Sequence, residues 1–370
     1  MALRAGVRLD EWLDIPMSSL GVRSRPKRDI GMSRYPFRIP MTFPDSAYLL
    51  AFLGGALATA GSLPLWRAWC VRTGLVDDPG HRKIHDTPIP LAGGLAVLTG
   101  LLVPLLLGAV ALQLNVLPAG AVEKVSYGFE KRGLQLAAIL GGALGMVVLG
   151  WLDDKHELRA GPKFATQLGI ALLVALAGVR IKLFPASPLA PVLSCGVTVL
   201  WILTVVSAVN IMDNMNGLCA GLGAIGAAAF GATAAMQGQY LVASLALLAA
   251  GALAGFLPFN YPKASAFLGD SGSHLTGFLL AVLAILPHFY TAQNPRPLAV
   301  LAPLLVLAVP LGDMVCVMWI RWRAGKPVWE GDTNHLSHRL VRRGLGKPQA
   351  VAVILAIHAA ASAAAVWLGS

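Results

Sequence analysis

Charge is scarce in this 370-residue chain: Asp, Glu, Lys and Arg make up only 13% of it, against about 25% in a soluble domain. With 56% of its residues hydrophobic, the chain is an integral membrane protein by composition. Cysteine is scarce too. Cys70, Cys195, Cys219 and Cys316 lie far apart with no CxxC pair, which argues against a disulfide framework, a zinc site and an iron–sulfur site. The start of the chain lacks a signal-peptide hydrophobic core. No internal repeat, low-complexity tract or soluble inserted domain is present. The net charge of +11 does not call for nucleic acid. In a membrane protein it marks loops facing an anionic cytoplasmic leaflet.

Long apolar runs are abundant. A span needs about 20 apolar residues. Runs of that size fall at 46–66, 91–113, 134–152, 164–180, 191–212, 217–235, 239–257, 272–290, 298–320 and 349–368. They predict an all-α, polytopic fold of ten transmembrane helices. Loops 67–90, 153–163, 210–217, 257–272 and 321–348 hold 15 Lys/Arg, and the opposite loops hold six. The positive-inside rule places the first set in the cytoplasm and both termini outside. Residues 1–45 form a basic tail, expected to be poorly ordered, and 46–370 the membrane domain. The tail's charges run against the rule, and Met41 offers a later start. Of the thirteen acids after Asp45, only Glu123 and Glu130 fall on the outer side. A transporter keeps its charges near the bilayer midplane, on broken helices. Acids gathered at one surface suit an enzyme drawing a soluble, charged substrate from the cytoplasm.

Asp153 and Asp154 close the run Leu134 to Leu152. The last turn of a helix is partly negative and favours cations, so these acids are not caps of their own helix and need compensation. Helix neighbours point about 100° apart, so the two should differ in role. The bland alternative is a hydrophilic loop. In the first cytoplasmic segment, Arg82, Lys83 and His85 can meet phosphate oxygens, although an ordinary basic loop has the same composition. In the third, Asn210 and Asp213 share a face if the helix continues, with Asn216 extending it; a tight turn is the alternative. In the fourth, Asp270 precedes a span as a natural N-cap, and a capped carboxylate can also hold a metal. In the fifth, a helix capped by Asn334 would set His335, His338, Arg339 and Arg342 in one cationic stripe. Leu336 and Leu340 would then form an apolar stripe fit for headgroups. Asp313, inside the ninth run, is expected to face the interior and orient a basic or polar group.

Hard carboxylate oxygens without thiolates suit Mg²⁺, held by one or two carboxylates plus substrate phosphates, with Mn²⁺ as a substitute. Cations and histidines beside them suit a diphosphate. Phosphoryl transfer asks mainly for positioning and charge neutralisation. The set points to a membrane enzyme joining a phosphate-bearing soluble donor to a lipid acceptor.

Five motifs occur in order: RKIHDTPIPLAGG (82–94), LDDK (152–155), NIMDNMNG (210–217), FLGDSGS (267–273) and DTNHLSHRL (332–340). Together they resemble the polyprenyl-phosphate N-acetylhexosamine-1-phosphate transferases, the MraY/WecA-type superfamily, over about residues 46–368. The resemblance implies transfer of a sugar 1-phosphate, here GlcNAc-1-phosphate, from a UDP-sugar to undecaprenyl phosphate. It implies UMP release, Mg²⁺, and a site on the cytoplasmic side of the bacterial inner membrane, initiating a cell-envelope glycan. A homodimer is compatible with it. It makes Asp270 the metal ligand, with Asp153 at the lipid phosphate and beside the metal, and Asp154 in support. Asn210 and Asp213 become nucleotide-side groups, Phe267 a stacking partner for uracil, and Lys83, His335 and His338 diphosphate-site groups. Arg82, His85, Asn216 and Arg339 complete the substrate-binding set. Two departures stand out. The third motif usually reads DGxDG, and here carries Asn214 and Asn216. The last often reads HxHH, and here Ser337 replaces the middle His. These place the chain nearer the WecA-like branch. The alternatives are the phospho-MurNAc-pentapeptide transferase of peptidoglycan synthesis and, in another class, a flippase for lipid-linked substrates.

Overall fold

Backbone in a bilayer must satisfy its own N–H and C=O groups, so apolar runs become helices. The computed structural model describes residues 43–77, 87–114, 119–181, 188–287, 289, 297–327 and 333–369, with backbone only for 119–131. Of the expected tail, residues 1–42 lie outside this set, and the first helix already starts at Asp45. The long apolar helices are α1 (Asp45–Thr73), α2 (Gly93–Gln113), α3 (Ala119–His156), α5 (Ala190–Asn210), α6 (Leu218–Met236), α7 (Tyr240–Asn260) and α12 (Lys347–Gly369). Between them lie α4 (Ala160–Leu176), α8 (Gly269–Leu283), α9 (Ala302–Val306), α10 (Ala308–Arg323) and α11 (Leu336–Arg342).

Of the ten expected spans, seven among the described residues are helices long and apolar enough to cross a membrane, or eight if the α9–α10 pair, bent by 69°, is counted as one span. The other two runs fold as α4, of 17 residues, and α8, of 15. At 1.5 Å per residue α8 reaches about 22 Å, short of the ~30 Å hydrocarbon core. It is short because protein surrounds it: every residue from Ser271 to Leu283 is buried. Helices α3 and α5 flank it, with α2, α6 and α7 also in contact. A helix apolar all round is a core helix.

The described parts of the five polar segments meet at one end of this bundle. Two short strands, β1 (Val76–Asp77) and β2 (Ile89–Pro90), pair antiparallel at the entry to α2. Main chain then ties that entry to the start of α8: Phe267 N–H donates to Pro90 C=O at 3.0 Å, and Gly93 N–H donates to Phe267 C=O at 2.9 Å. Gly217, before α6, donates its N–H to Asn260 Oδ1 at the end of α7. The Tyr261 hydroxyl donates to Pro348 C=O in the first turn of α12 at 3.1 Å. Most of the apolar interior forms one cluster. A second, smaller cluster holds Met212, Met215, Leu218, Leu222, Val309, Val351 and Ile354. Leu336 and Leu340 of α11 pack on that second cluster. The stripe expected to lie in lipid headgroups therefore lies on protein.

Candidate active site

Gly150 sits one helical turn before Asp154 on α3. A side chain there would overlap the backbone of Asp270 and Ser271, so only glycine lets α3 press on the first turn of α8. That approach delivers Asp154. Its Oδ1 accepts the Asp270 N–H at 2.8 Å and its Oδ2 the Ser271 N–H at 3.1 Å. Asp154 is thus the cap of α8, supplied from another helix, and satisfies two donors that an α-helix leaves open. The expectation that Asp270 caps this helix is corrected. Asp270 lies inside the first turn, and its carboxylate is spent elsewhere. Gly269 supports the arrangement with φ +70°, a left-handed conformation that seats it against the Asp154 carboxylate.

Asp153, its neighbour, points to a different task. Its Oδ1 accepts the Leu158 N–H at 2.9 Å, and its Oδ2 forms an ion pair with Lys163 Nζ. The same ammonium lies 2.8 Å from Asp270 Oδ2. Asn210 Nδ2 donates to Asp270 Oδ1 at 3.0 Å and to Ser273 Oγ at 2.8 Å. Asp153 is 8% exposed, while the Lys163 and Asp270 side chains keep 24% and 36%, so this chain from Asp153 through Lys163 and Asp270 to Asn210 is buried at Asp153 and open to water at Asp270. Low exposure strengthens the electrostatic contact at Asp153.

Asp213 occupies the turn between α5 and α6. Burial pushes its carboxyl up to about 8, helped by the negative charges of Asp270 and Asp154. The turn reading prevails over a continued helix. Helix α5 ends at Asn210, the Asp213 N–H bonds back to the Asn210 carbonyl at 3.1 Å, and Gly217 takes φ +79°. Asn216 braces this turn, its Nδ2 donating to Pro262 C=O at 3.2 Å.

At the other side, Asp313 is 5% exposed and holds the start of α11. Its Oδ1 accepts the Leu336 N–H at 2.6 Å, and its Oδ2 lies 2.7 Å from His335 Nδ1. The expected orienting role for Asp313 is what the structure gives. The helix starts one residue later than expected: His335, with extended backbone, stands in the cap position in place of Asn334. The His335 and His338 rings are 6.5 Å apart. Burial, then the charges of His335, Arg342 and Lys347, hold His338 below the usual imidazole range. Arg339 donates to Cys316 Sγ at 3.1 Å. Phe267 is half-buried beside β2. Arg82, Lys83 and His85 lie outside the described residues.

Among the described residues no three His, Cys, Asp or Glu side chains form a closed metal cage. A divalent ion completed by substrate phosphates needs fewer. Asp153 and Asp270 already share one cation, the Lys163 ammonium. Two hard oxygens converging on one positive charge are the donor set that suits Mg²⁺. Asp154 is not free for that work, because both its oxygens accept backbone donors.

A model of glycosyl transferase family 4 matches residues 136–288, the stretch from α3 through α8 that holds the acids. A probable undecaprenyl-phosphate N-acetylglucosaminyl 1-phosphate transferase of Bacillus subtilis is 31% identical over 327 residues, 87% of this chain and 85% of that protein. The chain belongs to glycosyl transferase family 4. Other relatives include the decaprenyl-phosphate N-acetylglucosaminephosphotransferase of Mycobacterium tuberculosis, 33% identical over 306 residues, 76% of this chain and 73% of that one. The undecaprenyl-phosphate alpha-N-acetylglucosaminyl 1-phosphate transferase of Escherichia coli is 28% identical over 300 residues, again 76% and 73%.

For this family 4 chain, sequence reading brought Asp153, Asp154, Asn210, Asp213 and Asp270 together correctly. It missed Lys163, which looked like the end of a loop. One signal was available. A lysine in the first turn of an apolar helix opposes the helix dipole, so it needs a carboxylate partner.

Proposed function

We propose that this protein transfers N-acetylglucosamine 1-phosphate from UDP-N-acetylglucosamine to undecaprenyl phosphate and releases UMP, on the cytoplasmic side of a bacterial inner membrane. The observation that carries the reading is the Asp153–Lys163–Asp270–Asn210 network at the end of the bundle where the described parts of the five motifs meet. The relatives' names give it the sugar and the lipid.

In this reading an ionised oxygen of the lipid phosphate attacks the donor phosphorus that bears the sugar. A new P–O bond forms, the bond from that phosphorus to the bridging oxygen breaks, and UMP leaves with that oxygen. The acceptor is already ionised, so no side chain has to remove a proton from it. Asp153 and Lys163 orient the acceptor phosphate. Asp270 and Asp153 would hold Mg²⁺, which when bound neutralises charge on the transferring phosphoryl group. Asn210 keeps Asp270 in place, and Asp154 fixes the backbone under it. Asp213 sits on the nucleotide side. His335, locked by Asp313, presents its other ring nitrogen for the diphosphate, with His338 and Arg339 on the same short helix. Phe267, half-exposed beside β2, offers a face to uracil.

The test is UMP release by the purified protein in lipid nanodiscs, given Mg²⁺, undecaprenyl phosphate and either UDP-N-acetylglucosamine or the UDP-MurNAc-pentapeptide. Release with the first donor alone is expected. Release with the second alone, or lipid movement with no UMP, would overturn the reading.

A further inference from the structure

The turn between α5 and α6 is joined to α11 by a hydrogen bond that the chemistry above does not use. The Ser337 hydroxyl donates to Asn214 Oδ1 at 2.6 Å. Asn214 Nδ2 donates to the Ile211 carbonyl at 2.8 Å, within its own turn. Ser337 is fully buried. The two segments also share apolar contacts. Met212 and Met215 of the turn and Leu336, Leu340 and Val341 of α11 belong to the smaller cluster, apart from the main interior. Helix α11 has only seven residues, far fewer than an isolated helix needs to persist in water. What it docks on therefore sets its geometry.

We propose that the Asn214–Ser337 bond is a positioning device for the sugar-nucleotide donor. It fixes the spacing between Asp213, on the nucleotide side, and the His335–His338 pair, on the diphosphate side. Asp213 precedes Asn214 in the chain, and Ser337 stands between the two histidines. The turn and α11 thus meet the donor as one body. Asn214 and Ser337 are also two of the places where the chain departs from the motifs it resembles, with Asn for Gly and Ser for His. A glycine has no side-chain acceptor to offer. The two departures meet in a single bond. Neither residue needs to touch the substrate for this role. The acceptor side, built on Asp153 and Lys163, does not depend on it. The proposal rests on the donor reading given above.

The test uses Asn214→Ala, Ser337→Ala and the double variant of the full chain. Donor KM, acceptor KM and melting temperature are measured for each. Asn214→Ala leaves the buried Ser337 hydroxyl without its partner and Ser337→Ala does the same to the half-buried Asn214 amide, and donor KM is expected to rise about tenfold, with acceptor KM unchanged. The double variant should be no worse than the poorer single one, since both remove the same interaction. Equal rises in both KM values, or a double effect equal to the product of the singles, would overturn the proposal. If wild-type protein releases no UMP from UDP-N-acetylglucosamine, it is the donor reading that fails. The bond is then judged by melting temperature alone. Non-additive shifts uphold the coupling of turn and α11, and additive shifts sink it.

Discussion

Asp154 and Asp270 are joined through backbone: the carboxylate at the end of α3 accepts the Asp270 N–H at 2.8 Å at the start of α8. An acid at a helix C-terminus is electrostatically misplaced. Here it becomes well placed, because the same atoms lie at another helix's positive end. The support for Asp270 is therefore a neighbouring residue of Asp153, on a different helix from Asp270 itself.

Asp154→Asn and Asp270→Asn should fail in different ways. The first replaces an acceptor by an amide that can match only one of the two N–H donors, so stability should fall by about 1–3 kcal/mol. Loss of placement at Asp270 should lower turnover about 100-fold. Asp270→Asn should abolish turnover outright; it loses the Lys163 ion pair and leaves the α8 cap in place. UMP release beside denaturation curves separates the two. Unchanged stability of Asp154→Asn would contradict the cap.

Gly150→Ala should be severe for a change of one methyl group. The added carbon would enter the backbone of the first turn of α8. Such overpacking costs about 1–3 kcal/mol and would move Asp270. Thermal melting and activity should both drop; a fully active variant would disprove the close approach.

Lys163→Ala removes the shared cation and leaves Asp153 and Asp270 facing each other. Side-chain exposures of 24% for Lys163, 8% for Asp153 and 36% for Asp270 make this neither a surface pair nor a buried one. The loss should lie between the ~1 kcal/mol of exposed pairs and the ~3–5 kcal/mol of buried ones. Turnover should fall as well. Raising Mg²⁺ should recover part of both in the variant, measured by melting and by UMP release.

Asp213 sets a pH dependence. Its carboxyl moves from 3.8 up to about 8 in the fold. Between those values the folded chain keeps a proton that the unfolded chain has released, so folding stability falls as pH rises from about 4 to about 8 and then levels off. Asp213→Asn removes that slope. The variant's melting temperature should gain on wild type as pH rises from 5 to 8; parallel curves would refute the assignment.

Chelation should stop the reaction. UMP release is expected to vanish in EDTA and to return with excess Mg²⁺ or Mn²⁺. An undiminished rate in EDTA would remove Asp153 and Asp270 from metal binding.

Much of this was legible in the sequence, because a polar cluster inside apolar sequence has few bland explanations. Asp153-Asp154, Asn210, Asp213 and Asp270 stood out on those grounds, and Asp313 did so as an acid within a span. What was not legible depends on which helices touch. Nothing in the order of residues says that Asp154 reaches the start of α8, since that contact depends on Gly150 being bare. The length of α8 was overestimated for a related reason. An apolar run tells that a segment avoids water, and not whether lipid or protein surrounds it. Leu336 and Leu340 show the same ambiguity, having found protein where lipid was equally suitable.

The smaller apolar cluster has a kinetic corollary. Met212, Met215 and Ile354 with α11 pack separately from the interior around α8. Segments with separate cores can open separately. In hydrogen–deuterium exchange, amides of α11 should therefore exchange well before those of α8, and a sugar nucleotide held between them should slow the first set without altering the second.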